Sequence, residues 1–168
     1  MKKIFIIIKH YGFNLIPLLL VFISILITIM PYKASHLSLF MPLITYIVLY
    51  FLTIYQPQTV PYVLTSILGL AKDLLESNFL GLSMLSFILF QALVKSQRKY
   101  ILNNLFIVVW VEFMFCLGVI LLLPLLISQF NSNIYHYPLP IIFIQWLITI
   151  FIYVPIHWLL SKINSLRS

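Results

Sequence analysis

Charge is what this sequence has least of. Only 8% of its 168 residues are charged, whereas an ordinary soluble domain carries roughly 25%. So few charges cannot coat a water-facing globule, which excludes a soluble domain of any size. Cysteine is nearly absent as well: Cys116 stands alone in an apolar run, which excludes an internal disulfide framework and offers no metal-ligand spacing. His10, His36, His136 and His157 fall in four separate segments without i,i+3 or i,i+4 pairing, so no metal site is expected. Segments of about ten residues alternating apolar and polar, the mark of a membrane barrel, are missing. So are periodic repeats, low-complexity tails, nucleotide motifs and paired catalytic groups. No cofactor and no enzymatic activity are expected.

What the chain does contain is hydrocarbon. Hydrophobic residues make up 63% of it, in runs approaching the ~20 residues a helix needs to cross a bilayer. The expected fold is an all-α membrane protein, residues 1–168 forming one transmembrane helical domain. Candidate spans are Asn14 to Met30, Leu37 to Ile54, Thr59 to Leu75, Phe79 to Val94, Leu105 to Ser128 and Leu139 to Leu160. Lys2 and Lys3 before an apolar stretch imitate a secretory signal. The run from Phe13 to Met30 is too long for one, however, and ends in Met30-Pro31-Tyr32-Lys33 without a small-x-small cleavage site. The third span is the weakest, because it contains Pro61, Thr65, Ser66, Gly69 and Lys72 and is open to a re-entrant or interrupted reading.

Cations arbitrate, since Lys and Arg concentrate in cytoplasmic loops. Six spans with both termini inside put eight cations on the inner face (Lys2, Lys3, Lys9, Lys95, Arg98, Lys99, Lys162, Arg167) and two outside (Lys33, Lys72). Without the third span the bias inverts to four inside and six outside. Topology thus accounts for the net charge of +7, and nucleic-acid binding is not expected. The inner connection Lys95 to Asn104 would lie against anionic headgroups. Tyr11, Tyr32, Tyr55, Tyr100, Tyr137 and Trp158 sit near the predicted ends, as interfacial aromatics do. The longest outer connection, Gln129 to Pro138, is too short for a domain.

The three acids, Asp73, Glu76 and Glu112, each need a location or a partner, because a charge at the bilayer centre costs ~2.5 to 3.5 kcal/mol even on insertion scales. Asp73 and Glu76 fall at the outer end of the third span, sharing a face. A carboxylate there opposes the helix dipole unless the chain turns sharply through Ser77 and Asn78. Asn78 is then a candidate N-cap for the fourth helix, whose positive end would sit beside Asp73. A structural brace and a carboxylate that recognises a partner or ligand both remain open. Glu112 lies about two turns inside the fifth helix and should point into the bundle, near Gln91 or His157. Hydrogen bonding, docking or conformational coupling, and proton transfer are its three readings. Thr65 with Gly69, and Gly81 with Ser83 and Ser86, are small enough to let helices approach closely.

The stretch Gly69-Leu70-Ala71-Lys72-Asp73-Leu74-Leu75-Glu76-Ser77-Asn78-Phe79-Leu80-Gly81-Leu82-Ser83 resembles the hallmark segment of MreD, the rod shape-determining membrane protein of bacteria. Gly69, Leu70, Asp73, Leu74, Leu75, Leu80, Gly81 and Leu82 match the pattern Gly-Leu-x-x-Asp-Leu-Leu, turn, Leu-Gly-Leu. A basic N-terminus, Tyr55-Gln56-Pro57 after the second helix, the basic loop after the fourth and Pro155 in the last helix agree too. Gln56 departs from the Arg the family often carries before this proline. The resemblance implies a non-enzymatic component of the cell-elongation machinery in the cytoplasmic membrane. Its implied partners are MreC, the actin-like MreB, RodA and penicillin-binding protein 2. It also implies a six-helix fold similar to the substrate-binding subunits of energy-coupling-factor transporters.

Two rival classes stand beside it. A vitamin-like binding subunit of a transporter would need several polar residues converging at midplane, and few fall there. A lipid-modifying enzyme would need a nucleophile or acid–base pair near an interface. Asp73, Glu76 and His136 show no recognised spacing for that chemistry.

Overall fold

The computed structural model describes residues 19–28, 42–76, 80–101, 105–130 and 139–165. These form six helices and no strand: α1 (Leu19–Thr28), α2 (Ile44–Tyr55), α3 (Tyr62–Glu76), α4 (Leu82–Ile101), α5 (Phe106–Phe130) and α6 (Leu139–Ser165). Two of them, α5 over Phe106–Leu125 and α6 over Leu139–Lys162, are long and apolar enough to cross a membrane. Helices α1 and α2 are shorter and apolar. The expected N-cap Asn78, the histidines His10, His36 and His136, residues 131–138 of the outer connection and both chain ends lie outside the described residues.

Helix α2 is the axis of the bundle. Every residue from Thr45 to Ile54 is buried, as a helix apolar on all sides requires. Aromatic rings fill the space around it: Tyr46 meets Phe87 and Phe90 of α4 edge-on, and Tyr50 meets Phe113 of α5 and Tyr153 of α6. Val21, Ser24 and Ile25 of α1 are buried, and Thr28 reaches Thr45 of α2, hydroxyl to hydroxyl, at 3.3 Å. Helix α5 has little polar surface with which to orient itself, whereas α6 aligns Gln145, Thr149, Tyr153 and His157 four residues apart and its Thr149 Oγ1 accepts the Leu43 amide at 3.0 Å. Two tryptophans stitch the two helices together: Trp110 Nε1 donates to the Ile150 carbonyl and Trp146 Nε1 to the Met114 carbonyl, both at 3.2 Å. Pro124 and Pro155 are accommodated inside these two helices without ending them.

The segment expected as the third span holds one unbroken helix of 15 residues, not an interrupted one. It starts after Pro61, the position where a proline's missing N–H costs nothing. The fourth helix is longer than its apolar run. Residues 95 to 101, expected as a connection, are its last turns, which carry Lys95, Arg98 and Lys99 as helical residues. Cations near a helix C-terminus complement the dipole, and two of these side chains find seats on neighbouring helices. Arg98 Nε donates to the Ile54 carbonyl at the end of α2 at 2.7 Å, and Lys95 Nζ lies 3.8 Å from the centre of the Tyr62 ring on α3. One turn earlier on the same face, Gln91 Nε2 donates to the Val60 carbonyl at 2.6 Å. The α2–α3 turn is therefore clamped by three α4 side chains at i, i+4 and i+7.

Candidate functional site

Helices α3 and α4 make the most extensive pairing in the bundle. Small residues permit it: Thr65 and Gly69 of α3, Ser83 and Ser86 of α4 are all buried at the seam. At Gly69 the two backbones nearly touch. A Cβ placed there would stand 2.5 Å from Met84 Cα and 2.8 Å from Met84 N, so glycine is required by packing.

At the end of that seam lies Asp73, fully buried. Its carboxylate accepts the Gly81 amide at 2.8 Å, and the Ser83 amide at 3.0 Å to one oxygen and 3.2 Å to the other. Those amides open α4, where N–H groups lack intrahelical acceptors and the dipole is positive. A side chain from α3 thus caps α4, and the burial of a carboxylate is offset by charge-assisted hydrogen bonds. Beside it, Lys72 Nζ pairs with Glu76 at 2.9 Å and reaches Ser83 Oγ at 3.4 Å. Glu76 is accordingly held by Lys72 rather than only repelling Asp73.

Of the two approaches expected at Gly81, from within the bundle or from a single-span partner, the first is not made among the described residues: a Cβ here would meet nothing within 4 Å. The φ of +99° at this residue is what demands glycine. Close approach belongs to Gly69. Among the remaining residues of the segment, Leu70, Leu74 and Leu75 point out of the bundle, 39%, 63% and 51% exposed, while Leu82 is half-buried. The segment combines two inward residues that tie the hairpin with outward leucines free to meet lipid or another chain.

Glu112 is not joined to this site. It sits half-buried on the flank of α5, where its carboxyl accepts a weak hydrogen bond from Cys116 Sγ at 3.4 Å. The partners expected for it are engaged elsewhere. Gln91 serves the Val60 carbonyl, and His157 lies 3.3 Å from the Tyr55 hydroxyl, ringed by Phe51, Phe106 and Tyr153. A period of 3.6 put Glu112 inside the helix but could not say which flank faces α4. The cap that Arg98 provides for α2 is a further role that the charge pattern alone does not reveal. The i, i+4, i+7 spacing of Gln91, Lys95 and Arg98 was the available signal.

An all-helical bundle, two of whose helices are long and apolar enough to cross a membrane, in a chain with 8% charged residues, has the character of a helical membrane protein. Comparison with known families narrows this. The family of rod shape-determining protein MreD matches residues 9–163, nearly the whole sequence. The chain belongs to the MreD family, whose role is in determining rod shape. No curated protein and no solved structure matches it.

Proposed function

We propose that this protein serves cell elongation as a non-enzymatic membrane scaffold, supporting lateral peptidoglycan synthesis through helix contacts with MreC and with the synthase pair RodA and penicillin-binding protein 2, in one assembly with MreB. The observation that carries the reading is the Asp73 tie. A carboxylate bonded to two backbone amides of the next helix makes α3–α4 a rigid hairpin, and rigidity is what a docking element needs. The hairpin then presents Leu70, Leu74 and Leu75 outward as a fixed apolar face. In this reading the six helices all span the cytoplasmic membrane, both termini are cytoplasmic, and their arrangement is that of the energy-coupling-factor substrate-binding subunits.

The test is replacement of the wild-type protein at native level in a rod-shaped host that depends on it. Asp73→Ala, and Leu70, Leu74 and Leu75 changed together to Ala, should each give rounded cells with protein level and membrane insertion unchanged. Normal rods from both variants would falsify the hairpin reading. A loss of small-molecule uptake with shape preserved would instead favour a transporter subunit.

A further inference from the structure

The described cations are divided unequally between the two ends of the bundle. Contacts fix which ends coincide: Arg98 on Ile54, Lys95 on Tyr62, Tyr55 with His157 and Phe106 with His157 gather the end of α2, the start of α3, the end of α4, the start of α5 and the last turns of α6. Lys95, Arg98, Lys99 and Lys162 therefore share one end. Lys72 lies at the other, beside the chain's other-sign charges Asp73 and Glu76. With Glu112 inside α5, no acid of the described residues stands at the basic end, and the whole sequence has only three.

Two of these lysines are folded over aromatic rings, Lys95 over Tyr62 and Lys162 over Trp158, the latter at 5.2 Å. Such pairing holds an ammonium at the level of the ring instead of letting it sweep through water. Lys99, one turn beyond Lys95, is exposed. Beginning one residue past Tyr62, the outer face of α3 offers Val63, Ile67, Leu70 and Leu74, all exposed and spaced by four, three and four residues. That apolar lane runs for about 16 Å along the helix, roughly half the thickness of a bilayer's hydrocarbon core. A fixed cation at the head of an apolar lane one leaflet long complements an anionic headgroup with an acyl chain beneath it.

We propose that Lys95 and Lys99, with the Tyr62 ring, form a binding site for the phosphate of an anionic phospholipid whose acyl chain lies along Val63, Ile67, Leu70 and Leu74 wherever no partner helix covers the two leucines. An acidic peptide would satisfy the lysines but not the lane. A free phosphate would likewise leave the lane uncovered.

Purified full-length protein in neutral detergent, titrated with phosphatidylglycerol or with phosphatidylcholine of the same acyl chains, tests this by retained lipid in native mass spectrometry and by thermal unfolding. Phosphatidylglycerol should be retained preferentially and raise the unfolding temperature. Each lysine neutralised, in Lys99→Gln and in Lys95→Gln, should weaken its retention about fivefold, while Lys95→Arg, which keeps the charge, should retain it. Lys99 is exposed, so its variant folds whatever becomes of Lys95→Gln. Ile67→Asn should weaken retention of phosphatidylglycerol with both lysines intact. Equal retention of the two lipids, or no loss in Lys99→Gln, overturns the proposal. Stabilisation by inorganic phosphate equal to that by phosphatidylglycerol would assign the lysines to a free anion. Displacement of phosphatidylglycerol by a polyglutamate peptide that itself binds more tightly would assign them to an acidic protein segment.

Discussion

Asp73 joins two helices through three short hydrogen-bond contacts, so its replacements separate charge from shape. Asp73→Ala leaves two amides at the start of α4 without their acceptor and should lower stability by about 2 kcal/mol, in line with lost N-caps. Asp73→Asn keeps one acceptor oxygen and should lose about half of that, measured by thermal unfolding in detergent. The two glycines separate packing from backbone conformation. Gly69→Ala drives a methyl into the Met84 backbone, which cannot swing aside like a side chain, and should cost at least about 3 kcal/mol. Gly81→Ala meets open space and should cost only the ~1–2 kcal/mol of a left-handed L-residue. A Gly81 variant less stable than the Gly69 variant would contradict this assignment. Glu112, whose one hydrogen bond among the described residues is from the Cys116 thiol, contributes little to the bundle. Glu112→Gln and Glu112→Leu should both fold within about 1 kcal/mol of wild type. Collapse of the Leu variant in detergent would show a structural role that its contacts do not reveal.

Helix α4 links the ends of its neighbours. At its start it takes its cap from α3, and along its second half Gln91, Lys95 and Arg98 hold the α2–α3 turn. Gln91 is fully buried, so Gln91→Leu would leave the Val60 carbonyl without its donor at a cost of about 1–3 kcal/mol. Because that turn contains the only connection between α2 and α3, the same substitution should speed proteolysis between Gln56 and Pro61 while cleavage elsewhere is unchanged. Uniformly faster cleavage along the chain would mean that α4 stabilises the bundle as a whole and does not hold the turn. Element by element, α5 relies on tertiary contacts for its rotation about its own axis, since Glu112 is the one charged residue of a largely apolar helix. The Trp110 and Trp146 indoles supply the directional bonds that lipid cannot.

For the molecule as a whole, the unequal charge of its two ends is a prediction about orientation. Four of the described cations share one end and Lys72 marks the other, so the basic end should face the cytoplasm. Cysteines placed at Ser96 and Ser165 in a Cys116→Ala background should resist thiol labelling from outside intact cells, while one at Ser132 should react. Labelling of Ser96 from outside would reverse the orientation of α4 and remove α3 as a span.

Composition was enough to determine the class of this protein, because the scarcity of charge and the length of its apolar runs depend on solvent and not on packing. The Gly69 to Leu82 segment was legible through its resemblance to the MreD hallmark, and the dipole penalty on a carboxylate at the end of α3 pointed to a nearby helix start. The extra turns of α4 were hidden by the lysines and arginine that polar patterning assigns to a loop, although Ile54 and Tyr62 give two of those side chains partners that keep them helical. Which glycine serves packing and which serves a turn was also beyond the sequence. Both lack a Cβ, and only the distance from Gly69 to Met84 and the φ of Gly81 tell them apart. Likewise the flank on which Glu112 sits was decided by how α5 rotates against α4 and α6, because a helix with no polar side carries no signal of its own rotation.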